Sequence, residues 1–343
     1  MNQSAVRRWA DAPGHHLAIG WMTGADRWTW SVEDGIAERP GARAVYEIGS
    51  ITKTMTGLLL AIGEREGLWS GENKLAELVP GWSGSPFAEA ATLRQLVTHT
   101  ANLPRIPGNM QATIADKLNP YANYSDEHLK EAILAEPVRK GNRHAYSNYG
   151  FGILGYALAA RLGTSLSEAL RDRIFSPLGM NDTSLRSGAF WPDPSGLVPV
   201  YSAKGTPTPH WDFTDATAGA GAVCSTVPDM LDYLAANLEP GRLPIGDAIM
   251  DGHKEHYAIF AGKGIGVGYS WMFYREKDGS TTHWHNGGTY GSSSFLAFNR
   301  DKGKGLVILS NRGADVWSQI PLVGMRKLSV DKLARKLLEG FYQ

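Results

Sequence analysis

The segment "HLAIGWMTGADRWTWSVEDG" carries two runs of β-forming residues separated by Thr23, Gly24 and Ala25, a pattern that predicts a hairpin. Near the other end, "YSWMFYREKDGSTTHWHNGG" and "SSSFLAFNRDKGKGLVILSNRG" read as strands joined at Asp-Gly and Lys-Gly turns. Between these ends the period changes. "TLRQLVTHT" predicts a short helix, and "SDEHLKEAILAE" an amphipathic one opened by Ser125. Ser165-x-x-Glu168 opens another as a capping box, and Thr226-x-x-Asp229 resembles one, with Pro228 tolerated in the first turn. Long Gly/Pro-rich connections separate these helices, the 185–222 stretch among them. The last segment, "SVDKLARKLLEGF", has helical spacing through Leu333, Leu337 and Leu338.

Strands at both ends around a helical middle predict an α+β fold: one antiparallel sheet built from both termini and flanked by helices. The expected division is residues 1–60 together with 256–343 for the sheet and 61–255 for a mainly helical insertion. A cleft between the two would host the site.

Composition narrows the function classes. Lys plus Arg and Asp plus Glu both number 34 in 343 residues, so no charge excess favours nucleic acid or an anionic membrane as partner. Cys224 is the single cysteine, which rules out an internal disulfide; among small residues it reads as a buried, inert thiol. No run of about 18 apolar residues predicts a membrane-crossing helix. The start, "MNQSAVRRWADAPGHH", has basic residues but no apolar stretch after them, so a cytoplasmic protein is expected if Met1 is the natural start.

Candidate chemistry begins at "YEIGSITKTMTGLLLAIG", where Ser50 and Lys53 stand three apart before an almost uncharged helix. By composition alone S-x-x-K arises about once in such a chain. A second match, Ser329 to Lys332, is explained by Ser as helix cap and Asp331 in the first turn. At Ser50 an extended segment, "RAVYEIG", precedes a helix apolar on nearly every side and therefore buried. Lys53 then lies one turn from Ser50 on the same face, and burial lowers a lysine's pKa toward that of a usable base.

Two further motifs accompany it. Y-x-N occurs as Tyr121-Ala122-Asn123, in a turn ahead of a charged helix, and as Tyr146-Ser147-Asn148, ahead of the apolar "YGFGILGYALAARLG". The second is the better candidate, because a tyrosine ahead of a buried helix holds its hydroxyl in place. His285-Asn286-Gly287 sits late in a strand and is followed by Gly288, whose bare backbone allows close approach. Gly150-x-Gly152-x-x-Gly155 fits a dinucleotide fingerprint, but no apolar strand precedes it, and close helix packing accounts for the glycines. His283 and His285 share a strand face without the companions that a zinc site needs.

Three motifs in this order resemble those of the class C β-lactamase and penicillin-binding-protein-like serine hydrolases, a group that includes esterases, D-aminopeptidases and DD-peptidases. "LRQLVTHTANLP", "IFSPLGMNDT" and "STVPDMLDYLAANL" also look like stretches of that family. The resemblance implies a β-lactamase/transpeptidase-like fold and hydrolysis through an acyl-enzyme on Ser50, with Lys53 and Tyr146 sharing the proton work. It implies an oxyanion hole from the backbone N–H groups of Ser50 and Gly288, substrate contacts from Asn148, His285, Asn286 and Gly287, and no metal or organic cofactor. The third motif has histidine where the efficient lactamases have lysine, and Asn286 where they carry a hydroxyl. Small esters or amides are therefore the expected substrates, with β-lactamase or DD-peptidase activity and a catalytically silent ligand-binding relative as alternatives. The oligomeric state stays open.

Overall fold

The computed structural model describes residues 14–33, 36–37, 44–187, 196–314 and 329–341. Residues 1–13 of the N-terminal stretch, and residues 188–195 of the predicted Gly/Pro-rich connection, lie outside these. The strands are β1 His16–Thr23, β2 Asp26–Glu33, β3 Ile36–Ala37, β4 Tyr46–Glu47, β5 Ser184–Leu185, β6 Val200–Tyr201, β7 Pro207–Thr208, β8 Val223–Ser225, β9 Tyr257–Phe260, β10 Ile265–Val267, β11 Met272–Arg275, β12 Thr281–Gly288, β13 Ser293–Asn299 and β14 Lys304–Ser310. The helices are α1 Thr52–Arg65, α2 Leu75–Leu78, α3 Pro86–Ala90, α4 Leu93–Val97, α5 Asp126–Ala135, α6 Asn148–Leu162, α7 Leu166–Leu170, α8 Asp215–Ala218, α9 Val227–Leu238, α10 Gly246–His253 and α11 Val330–Phe341.

Nine strands form the main sheet in the order β3-β2-β1-β14-β13-β12-β11-β10-β9, every neighbouring pair antiparallel. The two ends of the chain meet inside it, with Leu17 opposite Ser310 and Thr23 opposite Lys304. Alternation along β1 assigns its two faces. Leu17 and Ile19 pack with Val330, Leu333 and Ala334 of α11, while Ala18 and Met22 face the larger core beneath α1 and α9. The expected turns hold for a physical reason: Gly24, Gly279 and Gly303 adopt positive φ where each hairpin reverses.

Capping residues start the helices as the sequence predicts. Ser125, Ser165 and Thr226 each accept a backbone N–H three residues on, and Ser329 accepts the Lys332 N–H. The 185–222 connection is more structured than expected. It contributes β6, β7 and α8, and β5 pairs with β8, which in turn pairs with β4. That small sheet anchors Tyr46 and Glu47 directly before the S-x-x-K turn.

Helix α1 is buried from Thr52 to Gly63. Met55, Leu59 and Leu60 have no exposed surface, and each contributes about 1.5–3 kcal/mol by leaving water. Burial on that scale offsets the cost of enclosing Lys53 in the same helix. The glycines of α6 serve packing. A Cβ on Gly152 would lie 2.6 Å from the Ala216 carbonyl oxygen, and one on Gly155 would lie 2.9 Å from Gly219 Cα. This close approach carries the 215–220 segment against α1, where Thr56 donates to the Gly219 carbonyl at 3.0 Å.

Candidate active site

Ser50 sits in the single 3₁₀ turn Gly49–Ile51 that runs straight into α1. Gly49 before it has φ +50°, in the left-handed region, and a Cβ there would lie 2.5 Å from the Gly288 amide nitrogen. The opposing strand is as tightly placed. A Cβ on Gly287 would lie 2.0 Å from the Ile48 carbonyl oxygen and 2.9 Å from the Ser50 amide nitrogen. Ser292 and Ser294 hydroxyls tie the Glu47 and Ile48 carbonyls to β13 at 3.0 and 2.8 Å. Gly287→Ala should therefore destabilise the protein by about 3 kcal/mol, the upper end of overpacking costs, because both neighbours are backbone atoms. Urea denaturation of the variant checks this; an unchanged midpoint would contradict the tight packing.

Lys53 is fully buried. Its Nζ lies 2.9 Å from Ser50 Oγ and donates to the Ala220 carbonyl at 2.5 Å. The same nitrogen stands 5.0 Å from the Tyr146 ring centroid and 5.6 Å from that of Phe151. Burial, with the Arg105 guanidinium adding to it, holds the ammonium well below the ordinary lysine pKa.

Tyr146 lies directly before α6. The middle residue of its motif, Ser147, is the helix N-cap, accepting the Gly150 N–H at 2.9 Å. Burial raises the Tyr146 pKa above the ordinary phenol value, although the nearby Ser50 hydroxyl and Arg105 oppose the shift. Asn148 Nδ2 donates to the Tyr121 hydroxyl at 2.9 Å, while its Oδ1 is buried without a protein partner. The rival tyrosine is thus not remote: Tyr121 is buried, stacked on Phe213, and reaches the site through Asn148.

His285 faces the same space, its ring centroid 6.4 Å from that of Tyr146. Burial, with Lys53 adding to it, pushes its pKa down to about 3, so the ring is neutral near pH 7. Nδ1 lies 2.6 Å from the Asn286 carbonyl oxygen, which can only accept, so the neutral ring carries its proton there and leaves Nε2 as an acceptor. Strand alternation separates the next residue from it. Asn286 turns to the opposite face of the sheet and donates to Asp331 of α11 at 2.8 Å. The expectation that its side chain contacts substrate is therefore corrected: period-two geometry sends neighbours of an inward histidine outward. Past the Met272–Trp284 pair β11 provides no further partner, so residues 285–288 lie beyond its end.

Three residues near the site escaped the sequence reading. His99, in "LVTHTANLP", has φ +58° and lies 4.5 Å from Tyr146 and 4.8 Å from Phe151, ring to ring. Its Nδ1 accepts the Ser147 N–H at 3.1 Å, and its backbone carbonyl accepts that of Ala145. Burial, helped by Lys53, keeps the ring neutral. Glu47 is buried beneath the other wall, accepting the Thr289 hydroxyl at 2.6 Å and the Trp211 N–H at 2.8 Å, with His210 Nδ1 3.3 Å away. Arg105 lies over the Tyr146 ring with its guanidinium carbon 5.3 Å from the centroid. His283, on the face of His285, is instead stacked between His253 and Phe298. Among the described residues no group of three His, Cys, Asp or Glu is arranged to hold a metal ion.

Known proteins share parts of this sequence and this fold. "Penicillin-binding protein 4" of Amycolatopsis lactamdurans is 24% identical over 287 residues, spanning 79% of this chain and 73% of that protein. "D-alanyl-D-alanine-carboxypeptidase/endopeptidase AmpH" of Escherichia coli K12 is 30% identical over 202 residues, or 57% and 49% of the two chains. Among solved structures, a class C β-lactamase superposes with a TM-score of 0.76 at 18% identity, covering 92% of this chain and 90% of the other. The "Beta-Lactamase/D-Alanine Carboxypeptidase" from Pseudomonas syringae does so with a TM-score of 0.76 at 19% identity, covering 92% and 94%. The fold is thus the β-lactamase/transpeptidase-like α+β fold. The Beta-lactamase family model matches residues 19–320, most of the chain, and the protein belongs to that family of serine hydrolases.

Proposed function

We propose that the protein hydrolyses small esters or amides through an acyl-enzyme on Ser50. One observation carries this reading: a fully buried amine, Lys53 Nζ, lies 2.9 Å from Ser50 Oγ and 5.0 Å from the ring centroid of Tyr146. Burial holds the Lys53 ammonium well below the ordinary lysine pKa and so favours the neutral amine, the form that accepts the Ser50 proton as Oγ attacks the carbonyl carbon. Tyr146, whose pKa is shifted the other way, keeps its proton near pH 7 and is suited to pass one toward the leaving group. Water then attacks the acyl-enzyme ester, and Ser50 recovers its proton. The backbone N–H groups of Ser50 and Gly288 are the candidate oxyanion donors, each worth on the order of 3 kcal/mol in the transition state. Asn148, with an unpartnered Oδ1, is the candidate contact for the acyl side chain. His285 lines the leaving-group side as a neutral acceptor.

Ester or amide preference over β-lactam rests on His285. A ring with its pKa near 3 offers no charge from β12 to a β-lactam carboxylate at pH 7. The expected outcome is a kcat/KM for p-nitrophenyl butyrate well above that for nitrocefin or benzylpenicillin. Efficient penicillin hydrolysis with the ester untouched would replace this reading with β-lactamase.

A further inference from the structure

Arg105 stands at the edge of the site on a different wall from β12. Its backbone is fixed there, because its carbonyl accepts the N–H groups of Asn148 and Tyr149 at 2.9 and 3.2 Å, the first two residues of α6. The loop leading to it holds Asn102 as well as His99 in the left-handed region, with φ of 54° and 58°. The side chain is exposed, yet its guanidinium carbon lies 5.3 Å from the Tyr146 ring centroid, and Lys53 Nζ lies 5.0 Å from the same centroid. The Arg105 guanidinium and the Lys53 amine therefore flank one phenol. Among the described residues no carboxylate lies within ion-pair distance of Arg105. The buried acid nearest in sequence to Ser50, Glu47, is committed to Thr289 and the Trp211 N–H.

We propose that Arg105 is the receptor for a carboxylate carried by the substrate of the Ser50 site. Its planar fork suits bidentate recognition of that group. The assignment rests on Ser50 being the nucleophile. It also names what the neutral His285 does not provide, a cation at the mouth of the site, and places it on the Tyr146 wall. Between otherwise matched esters or amides, the one with a free carboxylate is then preferred over the neutral one.

The test uses two matched pairs: p-nitrophenyl hexanoate against p-nitrophenyl hydrogen adipate, and phenyl acetate against 4-carboxyphenyl acetate. Arg105→Gln should lower the ratio of kcat/KM, anionic over neutral, by about tenfold or more in at least one pair. Arg105→Lys should recover part of that ratio, because the charge returns without the fork. Rising salt should lower the wild-type ratio and leave that of Arg105→Gln flat. A ratio unaltered in both pairs overturns the proposal. So does a parallel loss on all four substrates with a displaced pH profile, which would make Arg105 a tuner of Lys53 and Tyr146. Ser50→Ala separates the two levels: if it still turns over these esters, the acyl-enzyme reading has failed, whereas an inactive Ser50→Ala with an unaltered ratio removes only the carboxylate receptor.

Discussion

Ser50→Ala should lower kcat on a small ester by about 10⁴-fold or more and abolish labelling by a fluorophosphonate probe. The size follows from what remains. Lys53 and Tyr146 keep their positions, but neither has an attacking oxygen within reach, and water must enter where a serine was held 2.9 Å from its base. Proximity and covalent catalysis are lost together, which distinguishes this change from any loss of binding. Peptide mapping of the labelled protein should find the adduct between Ala44 and Arg65. An adduct at Ser329, or labelling undiminished in Ser50→Ala, would remove Ser50 from the mechanism. Ser329 is a poor nucleophile on physical grounds: it is buried at the start of α11, where its Oγ accepts the Lys332 N–H.

The second large effect is expected at Tyr146. Tyr146→Phe keeps the ring that lies against His99 and beside Lys53 and Arg105, and removes only the hydroxyl. The expected loss in kcat is about 10²-fold or more, the usual scale of positioned acid–base catalysis. Tyr121→Phe should act more mildly and by another route. Its hydroxyl accepts the Asn148 amide at 2.9 Å, so the loss should appear mainly in KM as Asn148 loosens. The pair of variants, measured on one ester, tests the choice between two Y-x-N matches. If Tyr121→Phe proves the damaging change in kcat and Tyr146→Phe remains active, the phenol has been misassigned.

Much of this was legible because local chemistry repeats it. The apolar run after Lys53 could only be a buried helix, and the Tyr146 match stood ahead of a second apolar helix where the Tyr121 match did not. The glycines of "YGFGILGYA" announced close packing, which the Gly155–Gly219 contact realises. Asn286 was legible too, and was misread: a three-residue motif on a strand cannot present every side chain to one face, and Asp331 holds it on the other. What lay beyond reach came from loops whose partners are far away in sequence. Glu47 meets Thr289 across 242 positions, and no periodicity marks a buried acid in a two-residue strand. His99 and Arg105 act through a loop with unusual backbone angles, a geometry that composition and spacing do not encode.

The seating of the Ile48 carbonyl on Ser294, across 246 positions, also bears on how the enzyme comes into being. Entropy is not the obstacle, since each doubling of such a loop adds only about 0.6 kcal/mol. Timing is. At ribosomal speeds the interval between the emergence of these two residues is on the order of 10–50 s. During it the apolar α1 and Ser50 lack the strand bearing Gly287 and Gly288. Although β1 can pair early with β2, its pairing with β14 must wait until nearly the whole chain has been made, which belongs to the slow, non-local class of folding. The growing chain thus passes through a stage that needs shielding from aggregation, and hydrolytic competence arrives late, in one step with the closure of the sheet.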